Sequence, residues 1–348
     1  MEIKKSKEDE FKIFIKVWLS IFASLSYCYF IASKLPKGKL RLISLLPVFF
    51  LFTILPLYLS TVLPTGVTAF FITWLCSFKL LLFCFDLGPL SSDYPPKSFF
   101  YFLSISCLPI KISNSQKPPK LPLNWATKAL ILSLSVGLHD YTKQLRPNIV
   151  LGLYCCLLYF FLDIVLGTCN AVVRPVLGME LQSPSDEPYF STSLQDFWGR
   201  RWNLMVTNAL RDTVYKPTRI ALDPLLGSNW APLAAVLAAF TVSGLMHELM
   251  YYYVIRVPPT WEVTCFFVLH GVCLVVEFGL KKALFGKLRL PGVVSGALTL
   301  AFVVSTAFWL FFPPLLRNGT DSRAIEECKM LVGFVKQFFN WSKTTVKL

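Results

Sequence analysis

Two short stretches of the chain carry the residue types that could do chemistry. Residues 195–203 read Gln-Asp-Phe-Trp-Gly-Arg-Arg-Trp-Asn, a cluster of aromatic rings and guanidinium groups beside a carboxamide. Residues 241–248 read Thr-Val-Ser-Gly-Leu-Met-His-Glu and bring one histidine to the end of a long apolar run. Almost all of the remaining chain is hydrophobic segment or short connection. The chemistry of the protein is therefore expected at these two places.

His247 is the first candidate for a catalytic group, because ionisable residues within apolar membrane segments are costly and often functional. Ser243 and Gly244 leave the same helical face open to a substrate or to another helix. An imidazole shielded from water stays neutral, as a general base must be. The alternatives are a histidine satisfied by hydrogen bonds between helices and one at the membrane interface, and position alone leaves them open. Glu248 points to another face, where it could orient a partner or meet solvent.

His270 and Glu277 form a second candidate pair, since a spacing of seven residues places them on one helical face. They could line the same cavity, and a structural or supporting role is favoured for both. Asp163, within another apolar run, needs a partner such as Lys79 or an arginine. The sequence has no histidines four residues apart and no group of aspartates, so no metal site is expected. A Gly-x-Ser-x-Gly turn is also absent, so a covalent serine mechanism has no sequence support.

The aromatic–arginine cluster is predicted to be an amphipathic helix at the membrane surface. Ser193, three residues before Asp196, is typical of a helix N-cap. A helix beginning at residue 194 would put Trp198 and Trp202 on one face, because residues four apart are neighbours on a helix. Its arginines could hold a phosphate and its tryptophans could stack on a planar ring such as adenine. An interfacial anchor helix without a ligand is the alternative, and residue types alone do not decide between them.

The composition is that of a membrane protein. Of the 348 residues, 55% are hydrophobic and 16% are charged, and the mean hydropathy is +0.57. An ordinary soluble domain has about 25% charged residues. Apolar runs suited to the thickness of a bilayer lie at residues 17–32, 43–62, 67–85, 125–138, 149–173, 230–252, 262–280 and 293–316. We therefore predict an all-α, polytopic membrane protein with about eight transmembrane helices, in which residues 1–348 form a single membrane-embedded domain.

The formal net charge of +14 does not indicate a nucleic-acid-binding protein. Lysine and arginine lie mostly beside the apolar runs, where the positive-inside bias places them. Alternation over eight spans puts the basic segments 34–41, 86–124, 174–229 and 281–289 on one side, which predicts that the cluster lies in a cytosolic loop at 174–229. Most of the ten cysteines lie inside apolar runs and no Cys-x-x-Cys pair occurs, so packing is expected rather than disulfides.

The run Ser-Leu-Gln-Asp-Phe-Trp-Gly-Arg-Arg-Trp-Asn at 193–203, followed by Ser-Gly-Leu-Met-His-Glu at 243–248, resembles the plant wax synthase family. That family belongs to the membrane-bound O-acyltransferases. The resemblance extends over nearly the whole chain and includes Lys-Val-Trp-Leu-Ser at 16–20, Phe-Lys-Leu-Leu-Leu at 78–82 and His-Gly-Val-Cys at 270–273.

The resemblance implies an acyl-CoA-dependent O-acyltransferase of the endoplasmic reticulum membrane, built as a bundle of helices around a tunnel. It implies that His247 is the catalytic base and that Asn203 is its partner, which either orients the histidine or donates a hydrogen bond to developing negative charge. The acyl-CoA entrance would consist of Phe197, Trp198, Arg200, Arg201 and Trp202. Acyl-CoA is a substrate here, and no resident cofactor is expected.

The expected acceptor is a long-chain fatty alcohol, which gives wax esters, because the motifs match the naming members of the family. A sterol or diacylglycerol acyltransferase of the same family is the second reading, since tunnel shape decides the acceptor. A lipid-binding or transport protein without catalysis is an alternative of another class. The absence of visible inverted repeats and the presence of both motifs count against it.

Overall fold

The structure, a computed structural model, describes residues 2–92, 98–108, 125–139, 141, 144–177, 185–284, 290–330 and 333. Within those residues the regular elements are helices and no strand occurs. The helices are α1 (Glu2–Phe30), α2 (Lys39–Ile54), α3 (Val62–Thr68), α4 (Ser77–Cys84), α5 (Phe99–Cys107), α6 (Trp125–His139), α7 (Pro147–Leu177), α8 (Leu194–Asp196), α9 (Leu204–Leu210), α10 (Lys216–Ile255), α11 (Glu262–Ala283), α12 (Gly292–Thr306) and α13 (Pro313–Arg317). Wider π-helical turns continue several of them, at Ala69–Cys76, Phe197–Arg201, Arg211–Tyr215 and Ala307–Phe311.

Six helical stretches among the described residues are long and apolar enough to cross a membrane. They are Glu8–Lys34, Lys39–Tyr58, Val62–Cys84, Leu204–Ile255, Glu262–Ala283 and Gly292–Arg317. At the other two predicted positions lie α6 and α7, whose described apolar parts, Thr127–Leu138 and Ile149–Val165, are shorter than a full crossing needs. The prediction of a helical, multi-pass membrane protein is confirmed for the described residues, whereas the count of eight spans is not.

The first three membrane stretches pack into the main apolar core. Each buries a stripe of side chains three or four residues apart, as a helix packed on one side must. The stripes are Val17, Ile21, Leu25 and Cys28 on α1, Leu45, Val48 and Phe52 on α2, and Ile72, Cys76 and Leu80 on the stretch Val62–Cys84. The described cysteines of this core are free and buried, in agreement with a packing role.

Asp163 illustrates a contact that the sequence could not identify. Its carboxylate on α7 pairs with Lys128 of α6, and both side chains are about nine-tenths buried. The suggestion of Lys79 as its partner is wrong. The Lys79 ammonium group instead donates to the main-chain oxygens of Ile105 and Leu108, each at 2.6 Å, and so satisfies the carboxyl end of α5.

Helices α10 and α11 pack closely because glycine lies where they meet. A Cβ atom on Gly244 would come within 2.9 Å of the Cα atom of Thr264, and one on Gly271 within 2.9 Å of the Phe240 Cβ atom. Small residues allow such backbone approaches between membrane helices. The contact fixes the helix that carries His247 against the helix that carries His270.

The segment at 174–229, predicted as a loop, is largely helical where the structure describes it. It contains α8, α9, their π-helical continuations and the first part of α10. α10 is interrupted at Gly227, which has φ 75° and ψ 165°, values that glycine adopts without a Cβ clash. The interruption separates residues 216–226 from the membrane helix 228–255.

Candidate active site

His247 lies in a box of aromatic rings contributed by three other membrane stretches. The ring of Phe267 on α11 stacks on the imidazole at 4.2 Å between centroids. Trp74, from the π-helical turn Ala69–Cys76, meets it edge-on at 4.9 Å and 86°. Phe311, from the π-helical turn after α12, lies at 5.9 Å. The imidazole is therefore held rigidly in apolar surroundings.

One hydrogen bond determines the tautomer of His247. Its Nδ1 atom lies 2.7 Å from the main-chain oxygen of Ser243. A carbonyl oxygen only accepts, so Nδ1 carries the hydrogen and donates it. Nε2 then holds the lone pair, and it makes no hydrogen bond with any residue that the structure describes. This is the neutral form of histidine that can accept a proton from a substrate hydroxyl group.

The aromatic–arginine cluster begins as the sequence predicts and then departs from it. The Ser193 hydroxyl accepts a hydrogen bond from the Asp196 N–H at 3.1 Å, which confirms the N-cap. The chain then forms the π-helical turn Phe197–Arg201 and leaves the helix at Trp202, whose backbone is extended. Trp198 and Trp202 consequently do not share a helical face, and that expectation is wrong. Trp202 stacks on Phe197 instead, at 5.7 Å and 11°.

Asn203 forms the corner between the cluster and α9. Its backbone is left-handed, with φ 43° and ψ 58°, a conformation that asparagine tolerates better than most residues. Its carboxamide oxygen accepts from the Val206 N–H at 3.4 Å and so caps α9. Within the described residues no hydrogen bond joins Asn203 to His247, whose orientation comes from Ser243 and the aromatic rings. The amide N–H₂ group of Asn203 is not used in the cap.

Trp198 turns inward and ties the cluster to two membrane helices. Its indole N–H donates to Nδ1 of His270 at 2.9 Å. Nδ1 is thus the acceptor, so Nε2 of His270 carries the hydrogen and donates to the Thr306 hydroxyl at 2.8 Å. Thr306 in turn donates to the main-chain oxygen of Phe302. His270 is fully buried and both of its nitrogens are hydrogen-bonded.

Glu277 contacts the same cluster about two turns further along the same face of α11. Its carboxylate accepts the Leu194 N–H at 2.9 Å, which is the first N–H of α8. A negative group at that end of a helix satisfies an orphan donor and complements the helix dipole. Lys281 bridges Glu277 and the Gln195 side chain. His270 and Glu277, seven residues apart, therefore both contact the cluster.

Glu248 has an equivalent role at the start of α11. It is 6% exposed and its carboxylate accepts the Thr264 N–H at 3.2 Å, within the first turn of that helix. Gly244, one turn earlier on α10, meets the same residue through its backbone. Ser243, Gly244 and Glu248 thus position His247 and its neighbouring helix, and Glu248 does not face solvent.

The two adjacent arginines of the cluster have different surroundings. Arg201 pairs with Asp196 at 2.9 Å and donates to the main-chain oxygens of Asp186 and Glu187. Arg200 is exposed and makes no hydrogen bond or ion pair with any part of the chain that the structure describes. Arg201 is committed to holding the cluster together, whereas the Arg200 guanidinium is available to an anionic ligand.

Sequence reasoning missed the three rings that surround His247. Trp74, Phe267 and Phe311 lie within ordinary apolar runs, and each is more than 15 residues from His247 along the chain. No local pattern distinguishes them from other core aromatics. Trp74 differs from the other two in having a polar atom, its indole N–H.

The arrangement can carry out proton transfer in apolar surroundings. The neutral imidazole of His247 presents a free lone pair. The carboxamide of Asn203 and the guanidinium of Arg200 belong to the aromatic–arginine cluster, which is connected to the histidine through Trp198 and α11. No group of three or more potential metal ligands among His, Cys, Asp and Glu occurs in the described part of the chain.

Comparison with known proteins relates these features to a family. The model of the membrane bound O-acyl transferase family matches residues 182–269, a range that contains the aromatic–arginine cluster, Asn203 and His247. Probable long-chain-alcohol O-fatty-acyltransferase 1 from Arabidopsis thaliana is 46% identical over 95% of this chain and 99% of that protein. Acyl-CoA–sterol O-acyltransferase 1 from the same plant is 44% identical over 92% and 95%. The long-chain-alcohol O-fatty-acyltransferase of Simmondsia chinensis is 43% identical over 97% and 98%.

Proposed function

The chain belongs to the membrane bound O-acyl transferase family and, within it, to the plant wax synthase family, and from this we propose that it transfers an acyl group from acyl-CoA to a long-chain fatty alcohol. The product is a wax ester and free coenzyme A. The observation that supports the proposal most strongly is the His247 imidazole, held as the Nδ1–H tautomer with a free Nε2 in an aromatic box.

The chemistry follows from that nitrogen. The alcohol hydroxyl lies against Nε2 of His247, which takes the proton as the oxygen attacks the thioester carbon. The resulting tetrahedral intermediate carries negative charge on the former carbonyl oxygen. When it collapses, the carbon–sulfur bond breaks and the imidazolium returns the proton to the thiolate. Apolar walls keep water, a competing acceptor, away from the thioester.

Asn203 has a limited set of roles in this mechanism. Its carboxamide oxygen already caps α9, so the amide N–H₂ group is the part that remains for substrate. We assign it to hydrogen bonding with acyl-CoA at the cluster, either at the thioester or at the pantetheine amides. The orientation of His247 is set by the main-chain oxygen of Ser243 and by the three surrounding aromatic rings.

The cluster is proposed as the acyl-CoA entrance. The coenzyme carries phosphates and an adenine ring, which match an exposed guanidinium and aromatic faces. Acyl-CoA is made in the cytosol, and the basic character of segment 174–229 supports a cytosolic position by the positive-inside bias. Residence in the endoplasmic reticulum membrane and a single domain over residues 1–348 belong to the same proposal.

The difference between the neighbouring arginines gives a prediction. Arg200→Ala is expected to raise the KM for acyl-CoA by about 3- to 10-fold with kcat nearly unchanged, the effect of losing one hydrogen bond worth about 0.5–1.5 kcal/mol. Arg201→Ala is expected instead to lower the yield of folded protein, because it releases Asp196 and two main-chain oxygens. Steady-state kinetics and size-exclusion profiles of the purified variants measure both.

Arg219→Ala is the matched control, since it removes the same charge from an exposed site on the first part of α10. It should leave the KM for acyl-CoA as in the wild type. An equal rise with Arg219→Ala would show a general effect of surface charge and would remove Arg200 from the binding site.

The function itself is tested by expression in yeast that lacks its own neutral-lipid acyltransferases. Cells fed a long-chain fatty alcohol are expected to accumulate wax esters that are absent from cells with an empty vector. Absence of wax ester with well-expressed protein would contradict the fatty-alcohol assignment. Lipid extracts are analysed by mass spectrometry, with the alcohol omitted in a parallel culture.

A second acceptor is supported by one specific observation, the 44% identity to acyl-CoA–sterol O-acyltransferase 1. The same lipid extracts show which acceptor is used, because sterol esters and acylated glycerides are resolved from wax esters in the analysis. Sterol esters in place of wax esters would keep the mechanism and change the acceptor. No new ester from any of these alcohols would favour a non-catalytic lipid-binding protein.

A further inference from the structure

The indole N–H of Trp74 is a buried hydrogen-bond donor without an acceptor. The side chain is 1% exposed, and its Nε1 atom has no partner among the residues that the structure describes. Buried polar groups are nearly always hydrogen-bonded, and an unpaired donor in a membrane interior is unfavourable. An exception of this kind calls for a physical explanation, and a missing substrate atom is one.

The position of Trp74 places its indole ring beside the catalytic base. Its ring meets the His247 imidazole edge-on at 4.9 Å, and Phe70 packs on it from its own helix at 6.0 Å. It lies on the π-helical turn Ala69–Cys76 of the stretch Val62–Cys84. Such wide turns occur frequently at functional sites, where they displace a side chain from the regular helical register.

The reaction requires a donor near that place. When the alcohol oxygen attacks, the carbonyl oxygen gains negative charge, and a fixed donor in a dry site stabilises that charge strongly. An indole N–H only donates and does not ionise under these conditions, so it cannot compete with His247 for the alcohol proton. Asn203 is the other candidate donor, since its amide N–H₂ group is not used in the cap of α9.

We propose that Trp74 is a catalytic residue whose indole N–H donates a hydrogen bond to the thioester carbonyl oxygen and to the oxyanion formed from it. The inference rests on the proposed acyl transfer. Nε2 of His247 takes the alcohol proton, the new carbon–oxygen bond forms, and the carbonyl π electrons move to the oxygen that Trp74 holds. This electron pair re-forms the carbonyl bond as the carbon–sulfur bond breaks, and the departing thiolate takes the proton from His247.

The test compares two tryptophan-to-phenylalanine variants in the full-length enzyme. Trp74→Phe keeps an aromatic ring and removes the N–H, so kcat is expected to fall about 100-fold, the effect of deleting one oxyanion donor, with the KM for acyl-CoA within about 3-fold. Trp18→Phe is the control, because Trp18 also has a buried unpaired Nε1 atom while its described ring contact is with Phe14. It should keep wild-type kinetics.

A kcat for Trp74→Phe within about threefold of wild type, or an equal fall in Trp18→Phe, would overturn the role of Trp74. If Trp74→Phe is poorly folded by size exclusion, benzothienylalanine at position 74 takes its place, since sulfur replaces the N–H without changing the ring shape. The same criteria then apply. Wild-type enzyme measured alongside separates the role of Trp74 from the proposed acyl transfer. If the wild type forms ester and the variants are equally active, only the role of Trp74 is refuted. No ester from the wild type refutes the proposed function, and the role of Trp74 with it.

Discussion

Replacement of His247 with alanine is expected to abolish detectable ester formation while the protein stays folded. Removal of a general base lowers the rate by about 10²- to 10⁴-fold, and here no other described titratable group makes a hydrogen bond or a ring contact with the imidazole. Binding of acyl-CoA should persist, because the exposed Arg200 and the cluster rings do not touch His247. The measurement is ester formation by the purified variant together with its affinity for a fluorescent acyl-CoA.

His247→Gln serves as the accompanying variant, since it keeps a polar side chain of similar length in the aromatic box. It should be as inactive as the alanine variant, because a carboxamide does not accept a proton. Turnover by either variant within about tenfold of wild type would contradict the assignment of the base.

Replacement of His270 is expected to lower the stability of the protein rather than to remove its chemistry. His270→Leu leaves the partly buried Trp198 N–H without its acceptor and deletes the bond to Thr306, at a cost of roughly 2–4 kcal/mol. The amount of monodisperse protein and its unfolding temperature in detergent should both fall. Whatever protein remains folded should retain measurable ester formation, unlike the His247 variants.

A double-mutant cycle tests this account of His270. Trp198→Phe removes the donor, so Trp198→Phe combined with His270→Leu should cost less than the two single changes added together, by at least about 1 kcal/mol. His270→Gln should recover part of the lost stability, because its carboxamide can accept from Trp198 and donate to Thr306. Additive losses within about 0.5 kcal/mol would show that the bond between Trp198 and His270 contributes little.

The fold was predictable where it depends on periodicity and composition. Apolar runs of bilayer length overlap all six membrane stretches, although Leu204–Ile255 begins 26 residues before the run predicted at 230–252, and Ser193 located the start of α8. The count of eight spans is not confirmed, because the described apolar parts of α6 and α7 are short and hydropathy alone does not decide whether such helices cross.

The candidate site was predictable only in part, for three physical reasons. Placing Trp202 on one face with Trp198 assumed 3.6 residues per turn, and the π-helical turn and the left-handed Asn203 break that register. The rings around His247 come from distant stretches, so no local spacing reveals them. The partner of Asp163 depends on how α6 and α7 are aligned, which a single sequence does not encode in readable form.

The most direct test of the central claim is a stoichiometric assay with purified protein in phospholipid vesicles. Labelled acyl-CoA and a long-chain fatty alcohol are supplied, and wax ester and free coenzyme A are counted for the wild type and for His247→Ala. We expect one coenzyme A released per ester with the wild type and neither product above background with the variant. Equal ester formation by the two proteins, or release of coenzyme A by the wild type without ester, would contradict acyl transfer with His247 as the base.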